Sequence, residues 1–341
     1  MTTAYVTHRR YTAHTLDGHV ENADRLYAIW ARLEAAGVLA DLTPLEPTEA
    51  NPSQIEAVHQ RRYLDLLATR WDHPVMLDHD TYALPDSYAV ARLSAGGVLR
   101  AVDAVARGAA QNALALVRPP GHHATPRQAM GFCLLNNVAI GARYAQRALG
   151  MARVLIVDYD VHHGNGTQDV FYDDPDVLYI STHQYPFYPG TGALHETGIG
   201  AGEGATINIP LRAGVGDAGY AQVFADVVWP AARRFAPDLI MVSAGFDAHW
   251  ADPLANMQLS LHGYAHLTRE LVAMAGELCA GRIVFALEGG YNHDALGNGV
   301  LNVCYALLGR DEIADPLGAS DWLEPSIEKV VDDVRKLHKL V

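Results

Sequence analysis

Residues 154–166, reading VLIVDYDVHHGNG, constrain this chain more than any other stretch. Four consecutive apolar residues, Val154 to Val157, lead straight into Asp158, Asp160 and His162, and a Gly/Asn turn follows. A short continuous apolar run reads as a buried strand of a parallel sheet covered on both faces. Side chains alternate along a strand, so the spacing of two predicts that Asp158, Asp160 and His162 leave it on one side. Two carboxylates and an imidazole converging there are expensive to bury unless they pair or hold a cation. The carboxyl ends of strands are also where open α/β sheets keep their ligands. The stretch therefore predicts a metal site.

Three other apolar runs end in polar clusters. Residues 113–117 run into RPPGHH (118–123), residues 239–242 into SAGFDAHWADP (243–253), and residues 283–287 into EGGYN (288–292). Further strands are expected at 5–7, 177–182 and 205–209. Between them lie helical patterns at 19–36, where Arg25, Leu26, Ile29, Trp30 and Leu33 recur at three and four before Gly37, and at 87–107, 134–149, 220–235 and up to 308. Residues 45–52, 78–85 and 183–192 read as loops, and 321–341 alternates charged and apolar residues as a surface-packed helix would. Strands alternating with helices predict a parallel sheet with helices on both faces. No linker or repeat interrupts the pattern, so one domain is expected over 1–341, with its core at about 19–308.

Each strand end alone is weak, because strands feeding solvent-facing loops often finish in Gly, Asp or Asn. Asp247 could be a turn or helix-capping residue, the HH pair could be surface, and GGYN could be only a turn. Together they carry a chemistry. Asp160, His162 and Asp247 offer two carboxylates and an imidazole, the three-ligand arrangement of a catalytic zinc site with an open position. His122 and His123, behind a rigid Pro-Pro-Gly turn, could act as general base and general acid. Tyr291, after two glycines, could donate to a developing oxyanion.

Composition narrows the partners. Lys+Arg number 25 against 39 Asp+Glu, a formal charge of −14, which repels nucleic-acid backbones and favours a cationic substrate or partner if it favours any. No apolar run approaches the roughly 18–20 residues of a membrane helix, and the polar N-terminus carries no signal-peptide pattern. The three cysteines, Cys133, Cys279 and Cys304, are far apart and form no CxxC pair. Disulfides and a thiolate metal site are not expected, and a reducing cytoplasm is.

In RPPGHH, GFCLLNN (131–137), DYDVHHGNGTQ (158–168), PGTG (189–192) and EGGYN, the chain resembles the zinc-dependent histone deacetylases and their bacterial relatives. The resemblance runs from His19 to about Leu308, and Asn165 after HHG looks like the class II branch. It implies the arginase/deacetylase fold, with a largely parallel sheet of about eight strands. It implies one zinc ion on Asp160, His162 and Asp247. His123 would be the general base and acid, His122 its electrostatic support, Asp158 the partner orienting His122, and Asn165 the partner of His123 in place of a carboxylate. Tyr291 would polarise the scissile acyl oxygen. Phe132 and Tyr188 would wall a narrow tunnel for an acyl-lysine stem, with Tyr188 adding a hydroxyl to the lining where Phe is usual and Gly131 giving a backbone carbonyl.

The resemblance also implies structural potassium. One site would use Asp158 and Ser181 with carbonyls of Asp160, His162 and Thr182; another would use carbonyls of Phe171, Asp174 and Val177. Arg25, in HVENADR, would lie below the active site, with Val20 where Pro is usual. Asp80 in DHDTY would be a rim residue binding the substrate backbone. The implied reaction is hydrolysis of an amide, releasing an amine and acetate. An arginase-like enzyme would need carboxylates for two manganese ions, and the positions beside His162 and Asp247 do not supply them. Acetylpolyamine or other small acyl amides are the alternative substrates. Leu254, where the eukaryotic polyamine enzyme has Glu, favours acyl-lysine in a peptide or protein. A catalytically dead acyl-lysine binder is disfavoured by the intact ligands, tandem histidines and Tyr291.

Overall fold

The computed structural model describes residues 2–69 and 71–340. Its strands are β1 (Thr3–Val6), β2 (Thr43–Leu45), β3 (Val75–Met76), β4 (Tyr82–Ala83), β5 (Asn112–Ala115), β6 (Val154–Asp158), β7 (Val177–Gln184), β8 (Thr206–Leu211), β9 (Leu239–Ala244) and β10 (Ile283–Leu287). β3 and β4 form a small antiparallel ribbon, and the other eight form one sheet in the order β2-β1-β5-β10-β9-β6-β7-β8. Every neighbouring pair in the large sheet is parallel. This is the arginase/deacetylase architecture expected from the sequence. β5, β6, β7, β9 and β10 are buried along their whole length, which is why β6, β9, β10 and the first half of β7 are runs of mostly apolar residues rather than alternations.

Helices Ser87–Ala106 and Asn137–Leu149 pack on one another and on the middle of the sheet, while Asp24–Ala35, Leu261–Leu278 and His293–Leu307 form a second packed group. Helix Asp24–Ala35 buries Arg25, Leu26, Ile29 and Leu33 on one stripe and is followed by Gly37 at φ 68°. It starts five residues later than its pattern suggested. Residues 19–23 are tied instead by local side-chain bonds: the Glu21 amide donates to His19 Nδ1 (3.1 Å), the Ala23 amide to Thr15 Oγ1 (3.0 Å) and the Asp24 amide to Asn22 Oδ1 (2.8 Å). Such bonds compete with the helical ladder. The C-terminal helix is likewise shorter than 321–341, spanning Glu328–His338. Before it, Glu324 accepts from the amides of Ala218 and Gly219 at 3.0 Å, which diverts the chain. Residues 78–85, read as a loop, contain the two-residue β4, and β7 runs on to Gln184 into the loop expected at 183–192.

The strand order matters most for function. β5, β10, β9 and β6 are consecutive in the sheet. The polar clusters after these strands therefore leave four neighbouring carboxyl ends, although they are scattered between residues 118 and 292 of the chain.

Helix Ser87–Ala106 approaches the loop before residue 52 with no space to spare. A Cβ on Gly96 would lie 1.7 Å from the Thr48 carbonyl oxygen, whereas Gly276, in helix Leu261–Leu278, has nothing within 4 Å. Gly96→Ala is expected to destabilise the protein by about 2–3 kcal/mol through overpacking, lowering the urea midpoint. Gly276→Ala, which improves helix propensity at an open position, should leave that midpoint unchanged or raise it.

Candidate functional site

Asp158 ends β6, and the backbone then turns out of the sheet, so strand alternation does not carry Asp160 and His162 to one side. A staircase of hydrogen bonds does. Asp158 Oδ1 accepts from the Asp160 amide (3.2 Å), and Asp160 Oδ1 from the His162 amide (3.0 Å). Asp247, just beyond β9, accepts from the Val161 amide (3.0 Å), bringing a second loop against the first. His162 Nδ1 then lies 3.2 Å from Asp160 Oδ1 and 3.2 Å from Asp247 Oδ2. The three ligand atoms fall within 4.8 Å of one another, the single such cluster found among the described residues.

These three residues are at most 9% exposed. Two carboxylates around an imidazole nitrogen need a positive charge between them. Without a metal that charge is a proton. Burial opposes it, but hydrogen bonds that His162 donates to Asp160 and then Asp247 overcome burial and raise His162 to about 10. Oxygen and imidazole donors with no thiolate suit zinc or a similar divalent ion. The residues fit the metal that the sequence implied. Gly289 explains why EGGYN carries glycine: a Cβ there would stand 2.2 Å from Asp247 Oδ2 and 2.6 Å from Asp160 Oδ2, while its amide donates to Asp160 Oδ2 at 2.8 Å.

The tandem histidines sit above this cluster with ring centroids 4.0 Å apart. Their second nitrogens have different partners. His122 Nδ1 faces Asp158 Oδ2 at 3.0 Å, and Tyr179 donates its hydroxyl to the same oxygen at 3.0 Å. Burial works against charge on His122, yet Asp158 and then Asp160 outweigh it and raise the group to about 10. His123 Nδ1 faces Asn165 Oδ1 at 2.8 Å. Burial, followed by His122 and His162, holds His123 well below the ordinary histidine range, and the neutral Asn165 does little to oppose them. One imidazole is thus built to carry charge and its neighbour to stay neutral. His163, adjacent to a ligand, is packed instead between Thr191 Oγ1 (2.8 Å) and Gln168 Oε1 (3.0 Å).

A pocket of about 230 Å³ rises from Asp160, His162, His122 and His123, and Gly131, Phe132, Tyr188, Tyr291, Leu254 and Asp80 line it. The predicted tunnel and rim residues are therefore all in one place. Phe132 adopts φ 68°, a left-handed conformation that costs about 1–2 kcal/mol outside glycine. Its amide donates to Thr81 Oγ1 at 3.0 Å, and its ring meets Tyr291 edge-on at 5.8 Å. Tyr188 presents its ring, edge-on to His123 at 5.2 Å, but its hydroxyl is enclosed by protein and does not line the pocket as expected. Asp80 borders the mouth, where burial, and then Asp78, raise its carboxyl.

Arg25 lies beneath Tyr291, with its guanidinium carbon 5.0 Å from the ring centroid, and donates Nε to the Gly290 carbonyl at 2.8 Å. Glu21 neutralises Arg25 (3.0 Å) and takes two hydrogen bonds from Arg118, with all three side chains buried. Sequence reasoning passed over Glu21, and also Glu288, which accepts from the amides of Gly121 (2.6 Å) and His122 (3.2 Å). A glutamate directly after an apolar strand was a usable signal for Glu288. Phe187, stacked on His162 at 5.6 Å with rings 19° apart, was also missed, and nothing but its neighbour Tyr188 pointed to it.

Of the residues expected to hold potassium, Asp158 and Ser181 are paired across β6 and β7, and Ser181 Oγ meets His183 Nδ1 at 2.9 Å. Thr182 follows Ser181 in β7. In the second group the Asp174 amide donates to the Phe171 carbonyl at 3.0 Å and the Asp174 carboxylate pairs with Arg143, near the start of β7 at Val177.

Comparison with known proteins identifies the family. Residues 19–307 match the histone deacetylase domain. A rice protein named histone deacetylase 10, chloroplastic, is 40% identical over 96% of this chain and 79% of its own. A probable deacetylase of Archaeoglobus fulgidus is 41% identical over 91% of this chain and 88% of its own. Among solved structures, the HD domain of HDA15 superposes with a TM-score of 0.91 and 40% identity, covering 99% of this chain and 94% of that one. The relatives include plant, archaeal, fungal and human proteins, so they do not narrow the chain to a bacterial type.

Ligation requires a neutral imidazole nitrogen. Because hydrogen bonds to Asp160 and then Asp247 raise His162 against burial, zinc binding near pH 7 should release about one proton from this residue. Calorimetric titration of the chelator-stripped protein in buffers of different ionisation enthalpy measures this directly. Asp247→Ala, which removes one ligand, should weaken zinc binding by at least about a hundredfold.

Proposed function

The chain belongs to the histone deacetylase family, and we propose that it removes acetyl or related acyl groups from lysine side chains of peptides or proteins, using one zinc ion held by Asp160, His162 and Asp247. The observation that carries this reading is the convergence of a cation-demanding triad, a charged and a neutral imidazole, and Tyr291 around one narrow pocket. When bound, zinc supplies a Lewis acid that activates water and polarises the acyl oxygen.

The chain's own groups do the rest. His123 has its Nδ1 on the Asn165 carbonyl oxygen, so Nδ1 carries the hydrogen and Nε2 is free to accept a proton. It takes a proton from the attacking water and returns it to the departing lysine amine. His122, its charge anchored by Asp158, favours negative charge developing beside it. Tyr291 donates a hydrogen bond to the forming oxyanion. Phe132 and the Tyr188 ring hold the aliphatic stem and exclude water, and Gly131 lines the pocket beside that stem. Potassium on Asp158, Ser181 and carbonyls of Asp160, His162 and Thr182, and on carbonyls of Phe171, Asp174 and Val177, belongs to the same proposal.

At the mouth Leu254 offers no charge for a distal ammonium, which supports acyl-lysine over an acetylpolyamine. The test is kcat/KM for an acetyl-lysine peptide against acetylputrescine and acetylspermidine. The peptide should lead by at least about tenfold, and all turnover should disappear on complete chelation and return with zinc. Turnover that survives full metal removal overturns the reading, and a lead for the polyamines overturns its substrate class.

Asn165→Asp tests the role of His123. His123 acts as a base only when neutral, and its proton affinity is held down by burial, then by His122 and His162. A carboxylate at the Asn165 position, now 2.8 Å from Nδ1, would stabilise the imidazolium. The acidic limb of the kcat/KM profile should therefore move to higher pH by about one unit. An unmoved limb assigns the base elsewhere.

A further inference from the structure

The turn that carries Tyr291 is gripped from two sides by groups of opposite charge. From below, the Arg25 guanidinium takes the carbonyls of Glu288 and Gly290. From outside, the Asp252 carboxylate takes the amides. Its Oδ2 accepts from Tyr291 (2.7 Å) and Asn292 (3.1 Å), and its Oδ1 from Leu254 (3.0 Å). One side chain thus binds the backbone of the tunnel mouth and the backbone of Tyr291 at once. Asn292 adds a parallel tie by donating its side-chain amide to the Ala251 carbonyl at 3.1 Å, while its Oδ1 caps helix His293–Leu307.

Asp252 is 5% exposed and no Lys, Arg or His pairs with it among the described residues, so its charge is met by backbone amides alone. Burial and then Asp247 push its carboxyl up to about 7, a folding cost that a neutral residue would avoid. A turn needing only shape could be closed without a buried acid. We infer that Asp252 is a positioning residue for the reaction: it fixes the Tyr291 backbone relative to the tunnel mouth at Leu254, so that the phenol is set before substrate arrives. This rests on the role of Tyr291 proposed above. A hydroxyl displaced by about 1 Å can cost on the order of a hundredfold in rate, which is the reason to tie the turn at both its carbonyls and its amides.

The test is a double-mutant cycle on the zinc-loaded enzyme with an acetyl-lysine peptide. Asp252→Asn keeps the volume but turns an NH2 towards backbone donors. It should lower kcat by about ten- to a hundredfold with a much smaller change in KM and an unchanged zinc content. In a Tyr291→Phe background, where the hydroxyl is already gone, the same change should cost less than about threefold. Equal losses in both backgrounds overturn the inference while leaving the function of Tyr291 standing. If Tyr291→Phe alone leaves kcat intact, the functional reading itself falls and the inference with it. Asp252→Ser, which retains one acceptor, replaces the Asn variant should that fail to fold. Independently of activity, the amides of Leu254, Tyr291 and Asn292 in the metal-free wild type should exchange slowly with deuterium. Fast exchange at these positions overturns the inference.

Discussion

Buried negative charge is the constraint around which this molecule is built. Asp158 ends one strand, and Asp160, Asp247 and Glu288 follow the ends of that strand and of the next two across the sheet, all with almost no contact with water. Each is stabilised largely by amides of neighbouring loops: Asp160 by His162 and Gly289, Asp247 by Val161, Glu288 by Gly121 and His122. The exchange is mutual. The loops relieve the desolvation of the carboxylates, and the carboxylates give otherwise irregular backbone a single arrangement. What the amides do not neutralise is the charge between Asp160, Asp247 and His162, and that remaining charge suits the cluster to a cation.

The two histidines show how little sequence is needed to separate two identical side chains. With ring centroids 4.0 Å apart, they are pushed in opposite directions. Asp158 and then Asp160 raise His122 against burial, whereas burial, then His122 and His162, lower His123, and the carboxamide of Asn165 behind it does not offset them. The division needs no difference in burial, since both are nearly inaccessible. It needs a carboxylate behind His122, where Asp158 ends a strand, and none behind His123, where Asn165 begins the short helix Asn165–Phe171.

Much of the site was legible in the chain because its residues sit directly after apolar runs. Asp160, His162, His122, His123, Asp247 and Tyr291 all do, and a parallel sheet brings such positions to one edge. The reason assigned to the spacing of Asp158, Asp160 and His162 was nonetheless incorrect, since β6 stops at Asp158 and hydrogen bonds rather than pleating align the other two. Glu21 was hidden because its partner Arg118 lies 97 residues away, and a glutamate in a helical pattern looks like any solvated one. The late start of helix Asp24–Ala35 has the same origin, with Glu21 drawn inward and the chain before it knotted by short side chains. Asp252 was invisible for a different reason: its partners are backbone amides, which no side-chain pattern records. The hydroxyl of Tyr188 was placed in the pocket on residue type alone, whereas the ring lies edge-on to His123 and the hydroxyl is buried in the wall.

The strand order has a consequence for biosynthesis. β9 and β10 lie between β5 and β6 in the sheet yet follow β8 in the chain. As the polypeptide emerges, the tandem histidines after β5 and the first two metal ligands after β6 belong to separate edges with an empty slot between them. The slot closes only when β9 arrives with Asp247 and β10 with Glu288 and Tyr291. Non-local pairing of this kind is slow to form. A growing chain cannot assemble the Asp160, His162 and Asp247 cluster before residue 247 of 341 is made, nor bring Tyr291 to it before residue 291, so the site is completed late in synthesis.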